Sequence, residues 1–505
     1  MSADLRSKTV RAIGHLGLGG ALGKIVSLGT TLILARLLSP ADYGLMAMAM
    51  VVIGFVGFFN EVGIGSAIVQ KPKLSTAEVN GCFAIAIMAS AVLSGLTYLL
   101  SGVMARFFGN PHLEAMIAVL SCAFILGAFG TVPLAFLRKE LHFKAIAGIT
   151  ILAIVVQSAV CLVLAWRGLG VWSLVWGFVV SSAVQSVGAF WLSSWRPRGA
   201  YGMREAGGLV LYGLKVTSSR VFWYLYTNAD KVIIGKVLGE RALGIYDMAF
   251  SLATLPSSQI TTLATNVASP LFAKLQDDLP KMNAFILHFT RGIAYVTYPA
   301  LIGMLVCSPE LVSVMLGAKW VDLLIPFGAL CLMGLIKSVD PLLSQVLIAT
   351  GNAGKLSAYT LMCGVAMTIA VLVGAHFDGL RGVSAVWLLV YPVLSIKLLH
   401  DVCKITGMRM AHYYRSLLPV LSATIAMAVV VLLVRAWVLA LGIPVLACLV
   451  AEIAAGALSY VLWIVYLDRR GMSEIKQVLI DLGIGEQRLA RWPFNRVALP
   501  IAEQK

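Results

Sequence analysis

Apolar stretches about 20 residues long recur along this chain almost without a break, separated by short polar turns. At 1.5 Å rise per residue, a helix of that length covers the hydrocarbon core of a bilayer. Hydrocarbon offers an exposed peptide group no hydrogen bonds. Stretches this long are therefore helices, since lipid-facing strands need alternating residues and a closed barrel. The pattern predicts about fourteen spans. They lie near residues 14–38, 43–69, 79–103, 113–136, 145–166, 169–193, 207–238, 242–270, 285–307, 321–348, 355–376, 381–400, 415–440 and 443–467. The connections between them are under about 20 residues, too short for an extramembrane domain.

Composition agrees. Of the 505 residues 60% are hydrophobic and 12% charged, and the mean hydropathy is +0.91. Soluble chains are about 45–50% apolar and about 25% charged. A net charge of +16 invites a nucleic-acid reading, but no basic run is interleaved with aromatics in a long soluble segment. Cytoplasmic loops rich in Lys and Arg account for the charge. With the N-terminus inside, the inner loops hold Lys71, Lys73, Arg138, Lys139, Lys144, Arg196, Arg198, Arg204, Lys274, Lys281, Lys397, Lys404, Arg409 and Arg415. The outer loops hold mostly one cation each, so both termini are expected in the cytoplasm.

The eight cysteines are scattered singly with no C-x-x-C pair, which reads as small buried hydrophobes rather than metal ligands. Arg6, Lys8 and Arg11 precede an apolar run that reaches Leu38, too long for a cleaved leader, so it reads as a retained first span. Beyond the last span, Ile475, Val478, Leu479 and Leu482 recur at helical spacing. They mark an amphipathic cytoplasmic tail over 468–505.

The chain repeats itself. Residues 35–50, ARLLSPADYGLMAMAM, align without a gap to residues 235–250, GKVLGERALGIYDMAF. Leu38, Gly44, Met48 and Ala49 match Leu238, Gly244, Met248 and Ala249. Each copy is the outer turn between the first two helices of a six-helix set, and an even number of spans separates them. The repeat is therefore parallel, and two such lobes define a cleft where substrate sites usually lie near the midplane. The expected organisation is an N-lobe over 1–206, a C-lobe over 207–404, two further helices over 405–467 and the tail. The expected fold class is all-α and polytopic, two parallel six-helix lobes plus two C-terminal helices.

The run ARLLSPADYG at 35–44 resembles the opening turn of polysaccharide flippases in the multidrug/oligosaccharidyl-lipid/polysaccharide exporter superfamily. So does NADKVIIGKVLGERALGIY at 228–246. SPLFAKLQDD at 269–278, PELV at 309–312, LGAKW at 316–320 and FLRKELHFK at 136–144 continue the likeness, which spans the helical region. It is nearest to lipopolysaccharide and exopolysaccharide exporters of the colanic-acid type. The resemblance implies export of an undecaprenyl-diphosphate-linked oligosaccharide to the outer leaflet of the bacterial inner membrane. It also implies that the first two helices of each lobe line the cavity, and that the lobes rock between inward and outward states. Polysaccharide polymerase machinery is a possible partner. Two extra C-terminal helices depart from many polysaccharide flippases and are found in lipid-II flippases of the same superfamily.

Charges inside the membrane cost about 2.5–3.5 kcal/mol on insertion scales, so each needs a partner, water or a role. Lys24 lies near the middle of the first span and Arg220 near the middle of the seventh. The repeat places Lys24 at position 224, one turn from Arg220 on nearly the same face. A diphosphate suits such a pair, Arg as a planar fork and Lys as a point charge. Lys215, nearer the inner end, is a third substrate-binding candidate. Snorkelling, or pairing with an internal carboxylate, is the competing reading for all three. Asp230 and Glu61 are candidates for ion coupling, because a carboxylate in a dry cavity can carry a proton. A structural pair is the alternative for each. Asp340, three residues after Lys337, reads as its ion-pair partner. Pro256, Pro299, Pro341 and Pro392 fall inside spans as kink positions.

A membrane polymerase or glycosyltransferase would need clustered carboxylates or metal ligands on an ordered loop. The outer loops are short and hold none, so no catalytic residue, metal or cofactor is expected. A drug/cation antiporter would want an acidic cavity, whereas this one reads as cationic and suited to an anionic lipid head.

Overall fold

A computed structural model describes residue 20 and residues 23–60, 64–71 and 74–467. Within these, the side chains of 60, 66, 203–223, 259, 262, 263 and 266 lie outside the description. Among the described residues the secondary structure is helical throughout, with no strand. The helices are α1 (23–37), α2 (Pro40–Asn60), α3 (Ile64–Gln70), α4 (Thr76–Phe108), α5 (His112–Lys139), α6 (Phe143–Trp166) and α7 (Trp172–Leu192). After them come α8 (Met203–Lys274), α9 (Leu279–Val306), α10 (Ser308–Leu311), α11 (Leu324–Lys337), α12 (Asp340–Ala349), α13 (Ala353–Thr406), α14 (Met410–Ala440) and α15 (Val445–Leu467). Ten helical segments among the described residues are long and apolar enough to cross a membrane. The 54-residue α13 counts there as one, yet Asp378 and Gly379 leave helical geometry inside it. Each of its arms is long enough to cross alone. The 72-residue α8 breaks likewise at Gly239, with φ 83° and ψ −177°, a backbone conformation that favours glycine.

The chain forms two compact units, Met1–Asp247 and Met248–Lys505. In the first, the SPAD turn is a capping device. Ser39 caps α2, Pro40 takes the first helical position and Asp42 the third. The Ser39 amide and hydroxyl donate to Asp42 Oδ2 at 2.8 and 2.6 Å, and the Asp42 amide donates to Ser39 Oγ at 3.2 Å. This satisfies orphan donors at the helix start reciprocally. Asp42 Oδ1 also accepts from the Val171 amide at 3.0 Å, so the same carboxylate ties this turn to the one between α6 and α7. Asp42→Ala is expected to cost about 0.5–2 kcal/mol, and Asp42→Asn less. The unfolding temperatures of the purified variants check it; an Ala variant as stable as wild type would remove the tie.

At the other end of this unit, Trp195 is buried beside Phe83 and Phe136, with ring centroids at 5.1 and 6.2 Å. The segment after α7 is thereby fixed against α4 and α5. Asn80 strengthens the seam, its amide donating to the Arg198 carbonyl at 2.6 Å.

The second unit packs around α9. Ile286, Ile293, Leu343, Val346, Leu398, Val402, Leu417 and Val420 belong to one buried apolar cluster. The two helices that fall outside the repeat join it. The Tyr460 hydroxyl of α15 donates to the Tyr295 carbonyl of α9 at 2.8 Å. Pro256, Pro299 and Pro392 do lie inside helices. Pro341 lies inside the expected span too, but in the first turn of α12, after a break at Ser338 and Val339, where a proline lacks no helical hydrogen bond.

Candidate functional site

The two copies of the repeat motif meet in the first unit, where α2 crosses the second arm of α8. A Cβ on Gly44 would overlap the carbonyl of Glu240, and a Cβ on Gly244 would overlap the carbonyl of Pro40. Only glycine permits backbones to approach this closely. The contact is reciprocal under the repeat. Adding 200 turns position 40 into 240 and 44 into 244, so the same two positions face each other in both directions. That exchange is the signature of a local two-fold axis.

Below the crossing, the first arm of α8 stays against α2. The Tyr224 hydroxyl donates to the Val51 and Met50 carbonyls at 2.9 and 3.2 Å. Its ring packs edge-on against Phe58 at 5.1 Å, and its hydroxyl occupies the space that a Cβ on Gly54 would need. Tyr224 is the position the repeat pairs with Lys24.

Two ties hold the arms of α8 together across Gly239. Tyr246 donates to Asp230 Oδ2 at 2.6 Å, and Lys231 pairs with Asp247 at 2.5 Å. Asp230 and Lys231 thus point to different partners, as adjacent helical residues must. Asp230 Oδ1 also accepts from the Lys231 amide at 2.8 Å. Tyr246 and Asp247 were not legible as partners, because the pairing runs through a hairpin and not along a helix face. Lys24 is exposed on α1. Glu61 and the side chains of Lys215 and Arg220 lie outside the described residues, as does the amphipathic tail.

The second unit holds a buried polar cluster of its own. Asp340 accepts from the Tyr391 and Ser395 hydroxyls at 2.9 and 2.7 Å. The Lys337 ammonium sits over the Phe250 and Trp387 rings, 4.9 and 5.1 Å from their centroids, a cation–π arrangement. The three-residue spacing from Lys337 to Asp340 crosses the break between α11 and α12, so helical spacing is no guide to their geometry.

The match to known families bears on the same segments. A family model described as "Polysaccharide biosynthesis protein" matches residues 33–325. The chain belongs to this family. It is similar to the lipopolysaccharide biosynthesis protein WzxC of Escherichia coli, 26% identical over 399 residues, covering 78% of this chain and 80% of that one. The teichuronic acid biosynthesis protein TuaB of Bacillus subtilis is 25% identical over 418 residues, covering 80% and 84%. The succinoglycan biosynthesis transport protein ExoT of Rhizobium meliloti is 24% identical over 403 residues, covering 78% and 80%.

The fold is that of the lipid II flippase MurJ in an inward closed conformation. The TM-score is 0.71 at 13% identity, covering 90% of this chain and 99% of that one. An inward-facing MATE transporter of the MOP superfamily gives 0.61 at 17% identity, covering 79% and 98%. The helical-bundle fold expected from the turn motifs is the one these two solved transporters share with this chain. The SPAD motif that carried the recognition serves as a turn and a helix cap in this structure.

Proposed function

We propose that this protein moves a polyprenyl-diphosphate-linked oligosaccharide, on an undecaprenyl carrier, from the inner to the outer leaflet of the bacterial inner membrane by alternating access. The reciprocal crossing of α2 with the second arm of α8 carries the mechanism. It is built from backbone, holds no interlocked side chains at Gly44 and Gly244, and can part without leaving buried charges unpaired. In this reading it is a gate that parts and re-forms once per cycle. MurJ and the MATE transporter, both solved in inward states, share the fold. WzxC, TuaB and ExoT are named for surface-polymer biosynthesis or its transport, which supports a glycan cargo.

The lobes of this machine are residues 1–206 and 207–404, with 405–467 appended and both termini cytoplasmic, as the loop cations favour. Lys24 and Arg220, with Lys215 below them, hold the diphosphate. We assign Asp230 first to the hairpin tie with Tyr246, and leave Glu61 as the second acid that could couple transport to an ion. In a strain lacking the gene, mass spectrometry of the lipid extract should find a complete oligosaccharide still on its diphosphate carrier. An unfinished sugar chain, or no accumulation, would point to a biosynthetic enzyme or to another cargo. A peptide-bearing disaccharide on the same carrier would indicate lipid-II-type transport.

A further inference from the structure

Where α9 gives way to α10, the second unit gathers buried polar side chains. Glu310 of α10 is 5% exposed, and Cys448 and Glu452, one turn apart near the start of α15, are fully buried. The Cys448 thiol donates to Glu452 Oε1 at 3.3 Å. Arg435 of α14 donates from Nε to Glu310 Oε1 at 2.9 Å. One ligand atom from each of Glu310, Cys448 and Glu452 lies within 4.8 Å of the others. The second oxygens of both carboxylates, Glu310 Oε2 and Glu452 Oε2, are buried without a hydrogen-bond partner.

Unpaired buried oxygens of charged groups are costly, and two carboxylates facing one guanidinium leave an excess negative charge. The N-terminus of α15 offsets only part of it, about half a charge. A divalent cation that displaces the Cys448 proton removes the whole excess: one thiolate and two carboxylates then balance the cation and Arg435. We propose that Glu310, Cys448 and Glu452 bind a divalent cation of borderline softness, zinc first. Mixed thiolate and carboxylate ligation suits zinc and disfavours magnesium and calcium, which take oxygen alone. The ion would pin α14 and α15, the helices outside the repeat, to the end of α9. The sequence hides this site because Glu310 lies far along the chain from Cys448 and Glu452 and meets them only in the fold.

The full-length protein, purified in detergent and stripped with a chelator, is dialysed against zinc and its metal content measured. One zinc per chain is expected for wild type, and none for Cys448→Ser or Glu452→Gln, each checked for a monodisperse elution profile. Cobalt in place of zinc should give a thiolate-to-cobalt absorption band that Cys448→Ser abolishes. Wild-type protein that holds no zinc overturns the proposal; a proton shared by the two carboxylates would give that result. So would a Cys448→Ser, Glu452→Gln double variant that holds as much zinc as wild type.

Discussion

Replacing Gly44 or Gly244 by leucine should abolish most transport while leaving the chain in the membrane. A side chain at either position meets a backbone carbonyl of the opposing helix and not a movable side chain. The closed crossing cannot re-form without separating the helices. Overpacking of this kind costs about 1–3 kcal/mol, which shifts a two-state equilibrium roughly five- to 150-fold. Alanine should give an intermediate loss, and leucine at both positions the largest. Surface-polymer output per molecule of membrane-inserted protein is the readout. Two outcomes argue against a gate. Variants that vanish from the membrane would make the crossing static packing, and variants that transport normally would make it incidental.

Removing Lys24 and Arg220 together is the second large effect. The loss of one charge-assisted contact costs about 1.5–3 kcal/mol, or roughly tenfold to a hundredfold in affinity. Arg220→Ala is expected to remove most export at normal protein level. Arg220→Lys should restore part, since charge survives but the fork does not. If Arg220 only anchors the first arm of α8 to an acid, Arg220→Ala lowers protein level instead, and neutralising that acid rescues it. The Lys24→Ala, Arg220→Ala double variant decides: normal export per molecule from it rules out a diphosphate clamp.

Hydropathy located helices well because it measures the demand of lipid, which a single helix meets by itself. The spans expected at 113–136, 145–166 and 443–467 are His112–Lys139, Phe143–Trp166 and Val445–Leu467. It located breaks poorly, because a broken helix between other helices is as apolar as a straight one. The expected span 321–348 is a 3-10 turn, α11 and α12 in succession. The span at 43–69 holds both α2 and α3. The motif match marked single residues: Gly44 and Gly244, matched by sequence alone, face each other's motif in the fold. Polar partners were the least legible. Asp230 with Tyr246, Asp340 with Tyr391 and Ser395, and Glu310 with Arg435 all bridge separate helices or arms, and no periodicity along one helix reports such pairs.

Reconstitution measures movement of a diphosphate-linked glycan lipid between leaflets directly. Purified protein is placed in vesicles carrying a polyprenyl-diphosphate oligosaccharide, and the glycan reachable by a membrane-impermeant glycosidase is followed over time. Wild-type protein should render the shielded pool reachable, the Lys24→Ala, Arg220→Ala protein should leave it shielded, and a carrier with a neutral linkage should move poorly. A wild-type protein that leaves the shielded pool untouched, or moves the neutral-linked lipid equally fast, would contradict the account.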